Sequence, residues 1–592
     1  MRTNLLLSIL IITAFQVVAA PAKQLLLEAE SFQQKGGWVI DPQFSLQMGS
    51  PYLLAHGLGK PVENAITTAA FPAMGSYHAW VRTKNWVPGN WEAPGRFQLI
   101  VNGKTVQTVL GTTAGWNWQY AGEVLVDKLA STVELKDLTG FEGRCDAIYF
   151  STLKVEPPSE PLQMAEWRRK MLGEPAKPKT TVKYDFVVVG GGIAGCAAAI
   201  AAAEQGLNVA IVHDRPVLGG NASGEVRVHT EGITGYTDRI VSQLNTSKYY
   251  DNGSPDALRD DARRHANIEK YPNITLYLNF RAYQAESSKS KVKWVDARHT
   301  STGETKRFSA PVFADCTGDG WVGYWAKAEY MYGREDSAKF GESWPKYGEL
   351  WSAEKGDNRV MGASVLWRSF DTTAPVAFPE VPWALGVAKG HAATKGVWQW
   401  EYSDNNLNQV EDAEQIRDHM FRAIYGSFYN AKKEEANHTL ALEWVAYIAG
   451  KRESRRLVGD YIYTFNDEKY MRKFPDAVVV EKRAVDVHYQ EILKHPQKPD
   501  FLSEAMFYKI DQYYIPYRSL YSKNITNLLM AGRCFSCSHV GLGGPRVMNT
   551  TGQMGVAVGY AAALCKKYRE TPRGIYERHL EELLQLVQVR EL

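Results

Sequence analysis

The sequence predicts an all-β jelly-roll sandwich followed by an α/β fold of the two-dinucleotide-binding-domain, Rossmann-like kind with an inserted substrate region. Three observations predict it. Residues 24–152 alternate short apolar runs with turn signals; from Tyr184 an apolar strand runs into Gly190-x-Gly192-x-x-Gly195, a small-residue helix and a second strand; and two later strands end in Thr317-Gly318-Asp319 and Ala531-Gly532-Arg533.

At 592 residues the chain is long enough for two or three folding units, each with its own core. Hydrophobic residues at 45% and charged residues at 22% are an ordinary globular balance. A net charge of +3, with no basic block interleaved with aromatics, argues against a nucleic-acid partner. Six cysteines in such a length do not make a disulfide framework. The first twenty residues, MRTNLLLSILIITAFQVVAA, have one early arginine, an apolar run and small residues at Val18 and Ala20, the pattern of a Sec-type signal cleaved after Ala20. The expected product is a soluble periplasmic or secreted protein. No second arginine follows Arg2 and no cysteine lies near the cleavage point, which removes support for twin-arginine export and a lipid anchor. No later segment is apolar and long enough for a membrane span.

In the first unit, QLLLEAESF, GSYHAWVRT, FQLIVNGKTVQTVL, STVELKDL and CDAIYFST have the alternation of half-buried strands, and Asn102-Gly103 marks a hairpin turn. Residues 153–183 carry prolines at 157, 158, 161, 175 and 178 and are expected to form a linker around a short helix. The opening LEAE and closing CDAIYF resemble the first and last strands of galactose-binding-like carbohydrate-binding modules. That resemblance implies a structural calcium on Glu28, Glu30 and Asp146, and sugar contacts at Trp38, Trp86 or Trp91.

The second unit, 184–592, opens with a complete βαβ pattern. Gly190 allows the tight turn, Gly192 lets backbone approach a pyrophosphate, and Gly195 brings helix and strand together, while the helix start at Ile193 and Ala194 offers unpaired N–H groups to an anion. The acidic residue expected to end the second strand and bond a ribose is replaced in register by His213, with Asp214 next. Either residue is then a candidate for the ribose. A Gly219-Gly220-Asn221-Ala222-Ser223 loop follows, where two-dinucleotide-binding-domain flavoproteins carry a glycine-rich turn toward the flavin.

Together with the two late strand ends, these stretches resemble a secreted or periplasmic FAD-dependent oxidoreductase family of polysaccharide-utilising bacteria. Some of its members bear the name xanthan lyase, and it is more distantly similar to the flavin subunit of heterodisulfide reductases. The resemblance implies FAD as cofactor, held by segments at about 184–235, 270–330 and 515–568, with the substrate region at about 331–512. It adds Thr317, Gly318, Asp319, Gly532, Arg533, Gly543, Gly544, Arg546 and Val547 to the cofactor contacts. The cysteine series that would hold an iron-sulfur cluster is missing.

A flavin enzyme must place a substrate carbon, move a proton and balance charge. His539 and Arg546, in the glycine-rich stretch after the last cofactor strand, are the first candidates for base and fixed cation. Glu401 and Tyr402 in WQWEY come next, with Glu225, Arg227, His229 and the KRESRR run (Arg452, Glu453, Arg455, Arg456) behind them. Such runs also form ion-pair networks that only hold a fold together. Cys534-x-x-Cys537 is compatible with small-residue packing at a cofactor wall, a disulfide, a redox dithiol or a metal site. Three functions remain open: oxidation of a carbohydrate or glycan-derived alcohol with an unidentified electron acceptor, redox-neutral cleavage through transient oxidation, and glycan binding with an inactive flavin domain.

Overall fold

The computed structural model describes residues 22–588, so the expected signal segment lies outside the described residues. The first unit folds from strands Gln24–Glu28 to Ala147–Ser151. Two four-stranded antiparallel sheets and a three-stranded one enclose a core that includes Phe32, Trp38, Leu53, Tyr77, Phe97, Leu99, Val133 and Phe150. Alternation does the sorting: in Ala65–Ala70 every second residue is buried, so one face of the strand joins the core and the other meets solvent. Trp38 and Trp86 are buried and offer no surface to a sugar, whereas Trp91 is exposed.

The expected calcium site is filled by protein. The helix Pro161–Met171 of the linker docks on the sandwich through Trp167, which packs edge-on against Trp118 and Tyr149. Its buried Arg168 donates to Glu28 Oε1 at 3.1 Å and to Asp146 Oδ2 at 2.9 Å, and Arg82 donates to the same Asp146 oxygen at 2.6 Å. Burial pushes the Asp146 carboxyl up, but Arg168 and Arg82 outweigh it and hold the group below its usual range. Glu30 is driven well upward by burial and by the neighbouring Glu28 and Asp146. Two guanidiniums thus occupy the charge-balancing place a cation would take. Among the described residues no group of three or more His, Cys, Asp or Glu is arranged to hold a metal ion.

The last four residues of the expected linker form a strand. Thr180–Lys183 pairs in parallel with Thr305–Ser309, joining a four-stranded sheet of the second unit. That unit is built on a five-stranded parallel sheet ordered Ile274–Tyr277, Val209–Val212, Phe186–Val189, Val312–Asp315, Leu528–Met530, the reversal of order falling at the strand that precedes Gly190. The helix Ile193–Glu204 lies against the long helix Met548–Tyr568. Glycines set their spacing: a Cβ on Gly555 would stand 2.1 Å from Ala194 O, and one on Gly559 2.2 Å from Ala198 O.

The two units share a polar seam. The helix Ala413–Ala431 buries Ile416, Met420 and Ile424 as its apolar spacing requires, and turns Glu414, Arg417 and Asp418 toward the sandwich. Fully buried Arg144 donates to Glu414 at 2.7 Å and Asp418 at 2.9 Å, while fully buried Arg417 reaches Asp41 and donates to Tyr52 Oη at 2.9 Å. Buried charges survive only when paired, so this network fixes how the sandwich sits on the α/β body.

Candidate flavin and substrate site

Gly190, with φ of +108°, turns the chain at the end of the first parallel strand, and Gly192 begins the helix with its backbone toward a long cavity. A Cβ on Gly195 would fall 1.9 Å from Gly190 O, so strand and helix touch there through bare backbone. Gly192 and Gly532 differ. A Cβ on either would meet a single neighbour at ordinary contact distance, 3.9 Å and 3.8 Å, so the backbone borders the cavity there without being packed against another segment. The same cavity is lined by Asp214, Gly219, Gly220, Asn221, Thr317, Gly318, Asp319 and Arg533. These residues come from segments far apart in sequence and meet at the ends of three parallel strands.

Charge in this cavity suits a diphosphate. Arg215, Arg281, Lys451, Arg533 and Arg546 line it against the carboxylates of Asp214 and Asp319. Burial would raise the Asp319 carboxyl, but Lys451 at 2.8 Å and Arg533 hold it down at about 2, so it stays ionised and fixes both cations. A dinucleotide fits this donor set. The helix N-terminus and glycine cradle suit its pyrophosphate, and Asp214 suits a ribose hydroxyl.

A second cavity of about 310 Å³ adjoins the first and shares Asn221, Lys451, Arg533, Arg546 and Met548 with it. Its wall includes Arg452, Arg483, Asp486, His488 and Trp398. His488 Nδ1 lies 2.5 Å from Glu401 Oε2 and its Nε2 lies 3.1 Å from Asp486 Oδ1. Asp486 in turn accepts from Arg483 at 2.9 Å and from Arg546 at 3.0 Å. Burial would raise Glu401, yet Arg452 and His488 keep it at about 2. Arg546 is pulled down to about 10 by burial and remains a cation at pH 7.

The family model described as FAD dependent oxidoreductase matches residues 185–584. The chain belongs to this family. Among solved structures it is similar to a geranylgeranyl bacteriochlorophyll reductase-like protein of Thermoplasma acidophilum (12% identity, 68% of this chain and 84% of that one, TM-score 0.30). It is also similar to a mutated FrdA chain of E. coli quinol fumarate reductase (12% identity, 69% and 75%, TM-score 0.27). A family 35 carbohydrate binding module of Clostridium thermocellum matches 22% of this chain and 96% of its own (15% identity, TM-score 0.18).

Within this FAD-dependent oxidoreductase, several residues chosen from sequence lie elsewhere than expected. His213 lines the cavity, but both its ring nitrogens are taken by backbone, accepting from Gly191 N at 3.0 Å and donating to Val217 O at 2.9 Å, and burial pushes it down to about 4. Asp214 lines the same cavity and is left as the ribose candidate. Ala222 and Ser223 are buried behind the Gly219–Gly220 turn, where Arg264 takes the Ala222 carbonyl at 2.9 Å. Gly543 and Gly544 pack against Val485, Val487 and Tyr513, away from both cavities, whereas Val547 lines the second.

The catalytic candidates separate in the same way. His539 is buried with Nδ1 on Glu453 at 2.8 Å and lines neither cavity; the pair continues to Arg456 and Glu335 as a structural network. Tyr402 stacks on His419, with ring centroids 4.1 Å apart, outside the site. Glu401 is fully buried and lines neither cavity, but it contacts His488, which lines the second. Arg546 lies where the cavities meet. Of KRESRR, Arg452 borders the second cavity, while Arg455 packs over Tyr324 at 4.0 Å. Cys534 and Cys537 are free and fully buried, and burial raises both thiols well above their usual range, the setting of packed small residues and not of a reactive thiolate.

Asp486 and His488 were missed. Their signal is the strand VDVHYQ (Val485–Gln490): Val485, Val487 and Tyr489 join an aromatic cluster with Trp351 and Phe465. The alternate residues Asp486 and His488 therefore share the opposite face.

Proposed function

We propose that this chain is an exported enzyme that oxidises a hydroxyl of a carbohydrate or glycan-derived alcohol to a ketone, with FAD as the immediate electron acceptor. The observation that carries the reading is the imidazole of His488, set in the wall of the second cavity between Glu401 and Asp486, beside the Arg546 that both cavities share. Oxidising an alcohol takes a proton from oxygen and a hydride from carbon. In the neutral ring Glu401 takes the Nδ1–H, and the hydroxyl proton moves to Nε2, where Asp486 Oδ1, 3.1 Å away, stabilises the N–H that forms. The imidazolium that results is flanked by two carboxylates. The chemistry FAD supplies when bound is acceptance of the hydride. Arg546 and Arg452 supply fixed donors for substrate oxygens, and the half-exposed ring of Trp398, 5.3 Å from His488, gives an apolar face for sugar C–H groups.

Anaerobic titration of the holoprotein with mono- and oligosaccharides tests the reading. The expected result is loss of the visible flavin band, with one ketone formed per flavin reduced. Cleaved glycan with no net bleaching would replace oxidation by the redox-neutral route. Absence of bleaching and of product with every carbohydrate would overturn it.

A further inference from the structure

We propose that the β-sandwich completes the cofactor site: its Gln43–Phe44 loop forms the wall against the adenosine half of FAD. The inference rests on the chain binding FAD and is independent of the substrate. The loop follows the strand Trp38–Asp41, and both of its residues line the dinucleotide cavity together with Asp214 and Arg281. One guanidinium joins the two units at this point. Arg281 donates through NH1 to Asp214 Oδ2 at 2.7 Å and through NH2 to Gln43 O at 3.0 Å. Asp214 closes the second parallel strand, the place where a carboxylate meets the adenosine ribose in dinucleotide folds. The sandwich loop therefore stands at the adenosine end and not at the flavin ring.

The loop is held there as a built element. The Gln43 side chain donates to Tyr447 O at 2.8 Å and accepts from Ala449 N at 3.0 Å, clamping it to the backbone that continues the cavity wall. Phe44 is buried, with the Arg417 guanidinium 4.8 Å from its ring centroid, and Arg417 belongs to the ion-paired seam between the units. An aromatic, apolar surface beside a ribose-directed carboxylate suits a purine base. A sandwich tethered only to bind glycan would need neither a cavity-lining loop nor a buried seam.

Apoprotein of the full chain is titrated with FAD, with FMN and with ADP as a competitor, following flavin fluorescence. Phe44→Ala is expected to weaken FAD and ADP by about tenfold, equivalent to roughly 1.4 kcal/mol, and to leave FMN unchanged. Unchanged FAD and ADP affinity in folded protein overturns the proposal. An equal loss for FMN also overturns it, because it signals general loosening. Phe44→Leu keeps an apolar side chain at the seam and decides the matter where the alanine variant does not fold. It is expected to weaken FAD and ADP by about threefold relative to wild type, and no change overturns the proposal.

Discussion

Gly195→Val is expected to yield protein that holds no FAD. The Cβ would meet Gly190 O at 1.9 Å and Cys316 Cβ at 3.2 Å. The first of these is backbone of the pyrophosphate turn and has no rotamer to change. The strand before it is hydrogen-bonded on both sides, to Val209–Val212 and to Val312–Asp315, so the turn cannot retreat. Nor can the helix slide away, because the helix Met548–Tyr568 presses its other side at Ala194 and Ala198 through Gly555 and Gly559. Overpacking in a well-filled core costs about 1–3 kcal/mol, and a clash with immobile backbone on both flanks puts this change at or above the upper end. FAD released on denaturation, read beside near-ultraviolet circular dichroism, measures the effect. A folded variant with full flavin content would show that the close approach has no role in holding the cofactor.

His488→Asn is expected to slow flavin reduction by substrate about 10²–10⁴-fold, the range for loss of a general base. The cofactor should stay, since His488 lines only the second cavity. Asparagine keeps a polar side chain between Glu401 and Asp486, so neither carboxylate is left facing apolar packing. KM is expected to move little, because Arg452, Arg546 and Trp398 still bind. Rapid mixing of holoprotein with a substrate found by anaerobic titration separates the two quantities. A variant that reduces its flavin at the wild-type rate would move the proton acceptor elsewhere.

The cofactor half of the site was legible because it is local. Gly190, Gly192 and Gly195 carry their reasons in one turn of chain, and the strand ends at Gly318 and Gly532 repeat the same device. The substrate half joins residues that chain position does not connect, Glu401 meeting His488 across 87 positions, and so does the far wall of the cofactor cavity, where Gln43 meets Ala449 across 406. His539 misled for a related reason. It follows a cofactor strand, but its side chain turns to Glu453, and the pairing of two charge-bearing groups inside the fold cannot be read from either segment alone. Calcium failed as an expectation because Arg168, from a stretch expected to be linker, supplies the positive charge. The period-two alternation of VDVHYQ did hold the information that places Asp486 and His488 on one face.

The visible absorption spectrum of the purified full-length chain, with quantitation of the released cofactor, tests the central claim most directly. The account predicts a yellow protein, or a colourless one that turns yellow on adding FAD, with about one FAD per chain on denaturation. A folded chain that stays colourless in excess FAD would contradict it.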